Sequence, residues 1–223
     1  MDFGLTPEVL RAGLIFFILL FASLILRAYA QAWLADRLGD PTPREEGRVT
    51  LYPVPHIDLF GTVILPLIFI FYLQPSITRA GIAFFLAWTN PVPINPANFA
   101  NPRRDFLFTQ FAGFGMSLLL GLAAAVGGGL LYGANPLTAE LFLGLIAINA
   151  MLMFLDFLPI PPLPGGMLLR HLGFMSEETY LAVSRWGGFA VLIAFNIPVT
   201  RGIFQTIIAL IQYPFLALFD IVR

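Results

Sequence analysis

The stretch Val9–Leu34 sets the terms for the whole chain, because between Arg11 and Arg27 it holds no charge and Ser23 is its only polar side chain. A helix rises 1.5 Å per residue, so a run of roughly 20 apolar residues covers the hydrocarbon core of a bilayer. Within that core only a helix or a closed barrel can satisfy its own backbone N–H and C=O groups. Composition carries the same message to the rest of the sequence. A water-facing surface spends about a quarter of its residues on charge, whereas here 11% are charged and 58% hydrophobic, with 23 Phe. Cys is absent, which excludes disulfides and thiolate metal sites. Lys is absent too: all 12 basic residues are Arg, and a net charge of -1 gives no case for nucleic-acid binding. Met1–Arg11 carries two acids and one Arg, and the run behind it is too long for a signal-peptide core, so this first hydrophobic segment is expected to be retained.

Six segments qualify as spans: about Val9–Leu34, Ile57–Leu73, Phe106–Tyr132, Leu137–Leu158, Tyr180–Ile197 and Ile203–Ile221. Gly81–Trp88 is apolar but too short to cross, and Pro91, Pro93, Pro96 and Pro102 exclude a helix just after it. Arginine placement orients the bundle. Arg37, Arg44 and Arg48 follow the first span, Arg103 and Arg104 precede the third, and Arg170 follows the fourth. These share one face if Gly81–Pro93 dips back into the membrane as a re-entrant element, which is allowed where protein covers its backbone. The expected fold is an all-α membrane protein of about six transmembrane helices, with a short proline-rich extended element between the second and third. No linker or repeat divides it, so residues 1–223 read as one domain. The Arg bias puts the N-terminus outside and Arg223 in the cytoplasm.

Two polar patterns interrupt the apolar spans. Ser23, Arg27 and Gln31 are spaced by four and share one helix face, and Asn149 and Asp156, seven apart, share another. The plain readings are an Arg27 that snorkels to the headgroups and an Asp156 that caps its helix end. Gly113, Ser117, Gly121, Ala125, Gly129 and Gly133 recur at a spacing of four and make a ribbon on which a helix backbone can pack closely. That ribbon fits internal helix packing or an intermolecular interface. His56 and His171 are the only histidines, and nothing around either has metal-ligand spacing.

Four stretches then stand out together: Arg27–Trp33 (RAYAQAW) running on to RLGDP at Arg37–Pro41; GRVTL from Gly47 with HIDLFGT from His56; NPVPINP from Asn90 with NPRRD from Asn101; and LPIPPLPG at Leu158–Gly165. In order and spacing they resemble the compact bacterial site-2 proteases, the intramembrane zinc metalloproteases. The likeness runs from about Ser23 to Met167, within a core of about residues 9–167 that leaves two further helices at about 180–221. The resemblance implies a bacterial cytoplasmic-membrane location and a proline-rich stretch that borders the substrate path. It also implies that the first and fourth spans face each other across the metal.

The site residues depart from that family. Its H-E-x-x-H places two imidazoles one turn apart to bind zinc and a Glu to activate water. The aligned positions here are Arg27, Ala28 and Gln31, and Pro164 stands where the family has its third ligand, an Asp. The family's A-G-P-x-x-N becomes Ala112-Gly113-Phe114-Gly115-Met116-Ser117. A guanidinium cannot ligate a cation, alanine has no base and an amide is a poor zinc ligand. The sequence therefore reads as a non-enzyme without metal or cofactor. It would be a structural or regulatory subunit that binds another integral membrane protein within the lipid bilayer, with an Arg27–Asp156 link between two helices. The alternatives are a metalloprotease with an unrecognised site, and a small-solute pathway lined by Ser23, Gln31, Asn149 and Asp156.

Overall fold

The computed structural model describes residues 6–73 and 87–223, and its described residues are helical or irregular, with no strand among them. Helix α1 (Pro7–Arg37) is capped by Thr6, whose hydroxyl accepts from the Val9 N–H, and it opens on a proline where a missing N–H costs nothing. It stops at Leu38 because Gly39 turns to φ +110°, a left-handed conformation that side chains resist. A short helix α2 (Thr42–Glu45) follows. Then α3 (Leu65–Ile68) is flanked by π-helical turns at Leu59–Ile64 and Phe69–Leu73.

Helices α4 (Pro102–Gln110) and α5 (Ala112–Leu130) form nearly one rod, interrupted only at Phe111. Helix α6 (Pro136–Phe157) starts under an Asn135 cap that accepts from the Thr138 N–H. Beyond it lie α7 (Pro164–His171), α8 (Glu177–Ser184), α9 (Gly187–Asn196) and α10 (Pro198–Val222). Among the described residues, four segments are long and apolar enough to cross a membrane: Pro7–Arg37, Pro102–Leu130, Leu137–Phe157 and Pro198–Val222. The chain is an integral membrane protein.

Of the second expected span, the described part is the apolar helix Leu59–Phe71, and residues 74–86 beyond it lie outside the described residues. The fifth, expected over Tyr180–Ile197, is split into α8 and α9, of 8 and 10 residues. Ten residues rise about 15 Å, half the hydrocarbon thickness. The break has a local cause. Gly187 presses against the Pro161 carbonyl so closely that a Cβ there would lie 1.7 Å from its oxygen, and this contact pins the chain where a continuous helix would run on. Of the expected re-entrant element Gly81–Pro93, the part up to Leu86 lies outside the described residues. Ala87–Asn95 is described and non-helical.

Helix α5 is the hub, lying against α1, α6 and α10. Its small residues set the approach. Gly121 receives the Phe215 ring, and a Cβ at Gly129 would stand 2.8 Å from the Phe219 carbonyl oxygen. Gly113, Ser117 and Ala125 are buried on the same helix, while Gly133 lies past its end at φ +89° and meets nothing. One core cluster joins Leu20 and Leu24 of α1 to Ile148, Met151, Phe154 and Leu155 of α6 and Ile208 of α10. A second packs Ala124 and Ala125 against Ile146, Phe215 and Phe219.

The course of α10 brings Arg11 and Arg223 to one end of the bundle. Arg223 stacks over the Tyr132 ring at 3.6 Å, beside the finish of α5. Arg11 at the start of α1 pairs with Glu140 at the start of α6, 3.0 Å away. Helix α5 finishes where α6 begins, so Arg11 and Arg223 occupy the same end of the bundle. The sequence reading had placed the two termini on opposite faces. Between α7 and α10 the chain runs through α8 and α9, each shorter than a membrane-crossing helix.

Candidate functional site

Arg27 projects from the lower part of α1 into the space between α5 and α6. One terminal nitrogen, Nη2, donates to both carboxylate oxygens of Asp156, at 2.7 and 2.8 Å. The other, Nη1, donates to the Gly113 carbonyl at 2.9 Å and to Ser117 Oγ at 2.6 Å. A Cβ at position 113 would stand 3.1 Å from Nη2, so the glycine leaves the room that the guanidinium fills. Asp156 is 4% exposed, and the pair neutralises itself in a place where a lone charge would be costly.

Roughly one turn along α1, Ser23 donates to the Leu19 carbonyl and accepts from Asn149 Nδ2 at 3.1 Å. Asn149 Nδ2 also reaches the Leu145 carbonyl, while its Oδ1 is buried without a partner among the described residues. The structure thus brings Ser23, Arg27, Asn149 and Asp156 into one polar seam between α1 and α6. Gln31 does not join the seam; its amide donates to Gln110 Oε1 at 3.3 Å. Ala28 faces elsewhere too, packed with Ala32 and Val92. Pro164 opens α7, and Gly165 behind it lies against the Leu158 carbonyl.

A second set of contacts, not singled out from the sequence, fastens the segment Ala87–Asn98 as a strap across the end of α1. Asp40, fully buried, accepts from the Asn95 N–H and Asn98 Nδ2, both at 2.7 Å, and from Thr42 Oγ1 at 2.6 Å. Burial alone would raise the Asp40 pKa; the bonds from Thr42, Asn98 and Asn95 outweigh it and hold the carboxyl below its ordinary value. Arg48 Nη2 donates to the carbonyls of Asn90, at 2.5 Å, and Pro91, at 3.1 Å. Thr62 Oγ1 reaches the Trp88 carbonyl, and the Asn90 N–H reaches the His56 carbonyl. The signal was present in the Arg37–Pro41 and Gly47–Thr62 stretches, but pairing them with Asn90–Asn98 needs the fold.

His56 is buried beneath this strap. Its Nε2 lies 2.9 Å from the Thr50 carbonyl, so Nε2 carries the proton that is donated, and Nδ1 is left without a partner. Burial holds its pKa below the ordinary value; the Thr50 bond opposes the shift and the Arg48 charge adds to it. His171 ends α7 in an exposed position. Neither histidine belongs to a group of three or more His, Cys, Asp or Glu, and no such group occurs among the described residues.

The fold and the seam define a class: a helical membrane protein with a polar seam inside its bundle and a proline-rich strap bordering one end. A curated relative narrows it. The chain is 31% identical over 166 residues, covering 70% of its own length and 67% of the relative's, to the protein named "Putative zinc metalloprotease YwhC" from Bacillus subtilis (strain 168). The chain belongs to that site-2-protease-like family of membrane zinc metalloproteases. No family model matches it, and no solved structure matches it significantly.

This membership corrects the expectation of a non-enzyme. The relative carries a metalloprotease name, and nothing in the sequence or the fold demonstrates loss of activity. Zinc itself does not fit the seam. A guanidinium fills the space, and around it stand one carboxylate, one hydroxyl and one backbone carbonyl, the carboxylate being engaged by the guanidinium on both oxygens.

Proposed function

We propose that this chain acts in the membrane by binding a segment of another integral membrane protein against the strap and the neighbouring face of α1, as a structural or regulatory subunit. The reading rests chiefly on the strap. Ala87–Asn95 is non-helical, is held in one place by Asp40, Arg48 and Thr62, and presents Trp88 beside Phe60, their ring centroids 6.1 Å apart. A rigid, extended border beside membrane helices suits docking of a partner segment, because the ordering cost is already met before binding. The resemblance to the site-2 proteases, in which the corresponding stretch borders the substrate path, supports the same assignment. The Arg27–Asp156 link ties α1 to α6 behind that border. The arginine-rich end, with Arg37, Arg44, Arg48, Arg103 and Arg104, faces the cytoplasm of a bacterial inner membrane.

A second reading is favoured by the relative's name: the bound segment is also cleaved. One experiment addresses both. Photo-crosslinking amino acids placed at Trp88 and Ile94, with Leu14 and Ile18 as lipid-facing controls, are activated in native membranes and the adducts identified by mass spectrometry. Defined adducts to one membrane protein from the strap positions alone support docking, and shortened forms of that partner, lost when the chain is deleted, support cleavage. Equal, unspecific adducts from all four positions would overturn the docking assignment.

A further inference from the structure

A cavity of about 510 Å³ opens at the arginine-rich end of the molecule, lined by Pro96 of the strap, Pro102, Arg103 and Phe106 of α4, and Met167, Arg170 and His171 of α7. Its basic groups are not consumed by the fold to the same degree. Arg104 is tied to Asp105 at 2.8 Å, and Arg170 is held by Glu177 at 3.0 Å and stacked over the Tyr180 ring. Arg103 is exposed and makes no ion pair or hydrogen bond among the described residues. The start of α4 adds to this, because Asn101 supplies no side-chain cap and the first-turn N–H groups of Arg103 and Arg104 point outward from the positive end of the helix.

We propose that this cavity binds a phosphate-bearing anion, presented either as the headgroup of an anionic phospholipid or as free phosphate. Arg103 of α4 and Arg170 of α7 both line the cavity, and guanidinium matches phosphate in geometry as well as charge. The His171 ring adds a further N–H donor. Phe106 and Met167 form an apolar wall beside the charges, which suits the glycerol and upper acyl chain of a lipid. Depth agrees with this: Pro102 begins one of the spans, so the cavity lies where that helix leaves the hydrocarbon and meets the headgroup layer. Two acids stand near and both are occupied: Glu177 by Arg170, and Asp105 by Arg104 and the Asn101 N–H.

The test uses the full chain in nanodiscs of phosphatidylcholine with graded phosphatidylglycerol, followed by native mass spectrometry of retained lipid. Preferential retention of phosphatidylglycerol is expected, and Arg103→Gln should weaken it about fivefold, as expected for one arginine at an anionic surface. Arg103→Gln/Arg170→Gln should weaken it further, whereas Arg11→Gln, at the opposite end, should leave it unchanged. Should the double variant fail to fold, Arg103→Gln decides the matter alone, because that exposed side chain makes no ion pair or hydrogen bond among the described residues. Inorganic phosphate that displaces the lipid at millimolar concentration identifies the free anion as ligand; lipid retention insensitive to phosphate identifies the headgroup. Equal retention of the two lipids with no phosphate binding, or an Arg103→Gln protein that keeps the full preference, overturns the proposal.

Discussion

Arg27 and Asp156 show how a single pair can carry the energetics of a membrane interior. Each charge alone costs about 2.5–3.5 kcal/mol at the centre of a span on insertion scales, and pairing mainly offsets that cost. Arg27→Met or Asp156→Leu should therefore each destabilise the protein by about 3–5 kcal/mol, read as a shift in its unfolding curve in detergent, and the double variant should recover much of the loss. Simple additivity of the two effects would show that the side chains are not energetically coupled. Both residues were legible as candidates from their helix faces. Ser117 and the Gly113 carbonyl, which complete the shell, were legible only as members of a packing ribbon. His56 carries a second residue-level prediction. Its folded pKa is depressed, so the unfolded chain binds the extra proton first as pH falls. The stability it contributes is complete above about pH 6.5 and is lost progressively below it. Unfolding curves from pH 7.5 to 5 should show that loss in the parent protein, and His56→Gln should flatten it.

At the scale of elements, the strap depends on a carboxylate that lies far from it in sequence. Asp40→Ala removes the acceptor for Asn95 N–H, Asn98 Nδ2 and Thr42 Oγ1 together. Each orphaned donor that stays buried costs about 1–3 kcal/mol, and exposed ones recover water, so the expected result is a locally released strap rather than an unfolded bundle. Hydrogen exchange should rise over residues 87–98 and stay unchanged in α5 and α6; unchanged exchange in the strap would mean that Arg48 and Thr62 suffice to hold it. The sequence showed that this stretch cannot be an α-helix, because Pro91, Pro93 and Pro96 remove donors. Where it docks follows from Asp40 and Arg48, whose polar character alone names no partner. The same limit explains Tyr180–Ile197. Its hydropathy reads as a span, and in the fold it is two short helices that meet where Gly187 lies against the Pro161 carbonyl.

For the whole molecule, the consequence is topological. Arg44 and Arg103 belong to one end of the bundle, joined through the strap, while Arg223 sits at the other beside Tyr132. The absence of Cys makes single-cysteine labelling clean: sites introduced at Arg44 and Arg103 should react from one side of the membrane, and one at Arg223 from the opposite side. Labelling of all three from a single side would refute the four-span course of the chain. The sequence by itself determined that the protein is helical and lies in the membrane, since unbroken apolar length and backbone self-satisfaction admit no other solution for these spans. It also determined which polar residues need an explanation, because charge inside an apolar helix is costly wherever it lies. Tertiary structure alone decided that Tyr180–Ile197 is two short helices, which end of the bundle Arg223 reaches and which groups surround Arg27. Those depend on contacts between residues far apart in the chain, where a carbonyl, a small side chain or a carboxylate becomes a partner only once packing brings it within 3 Å or so.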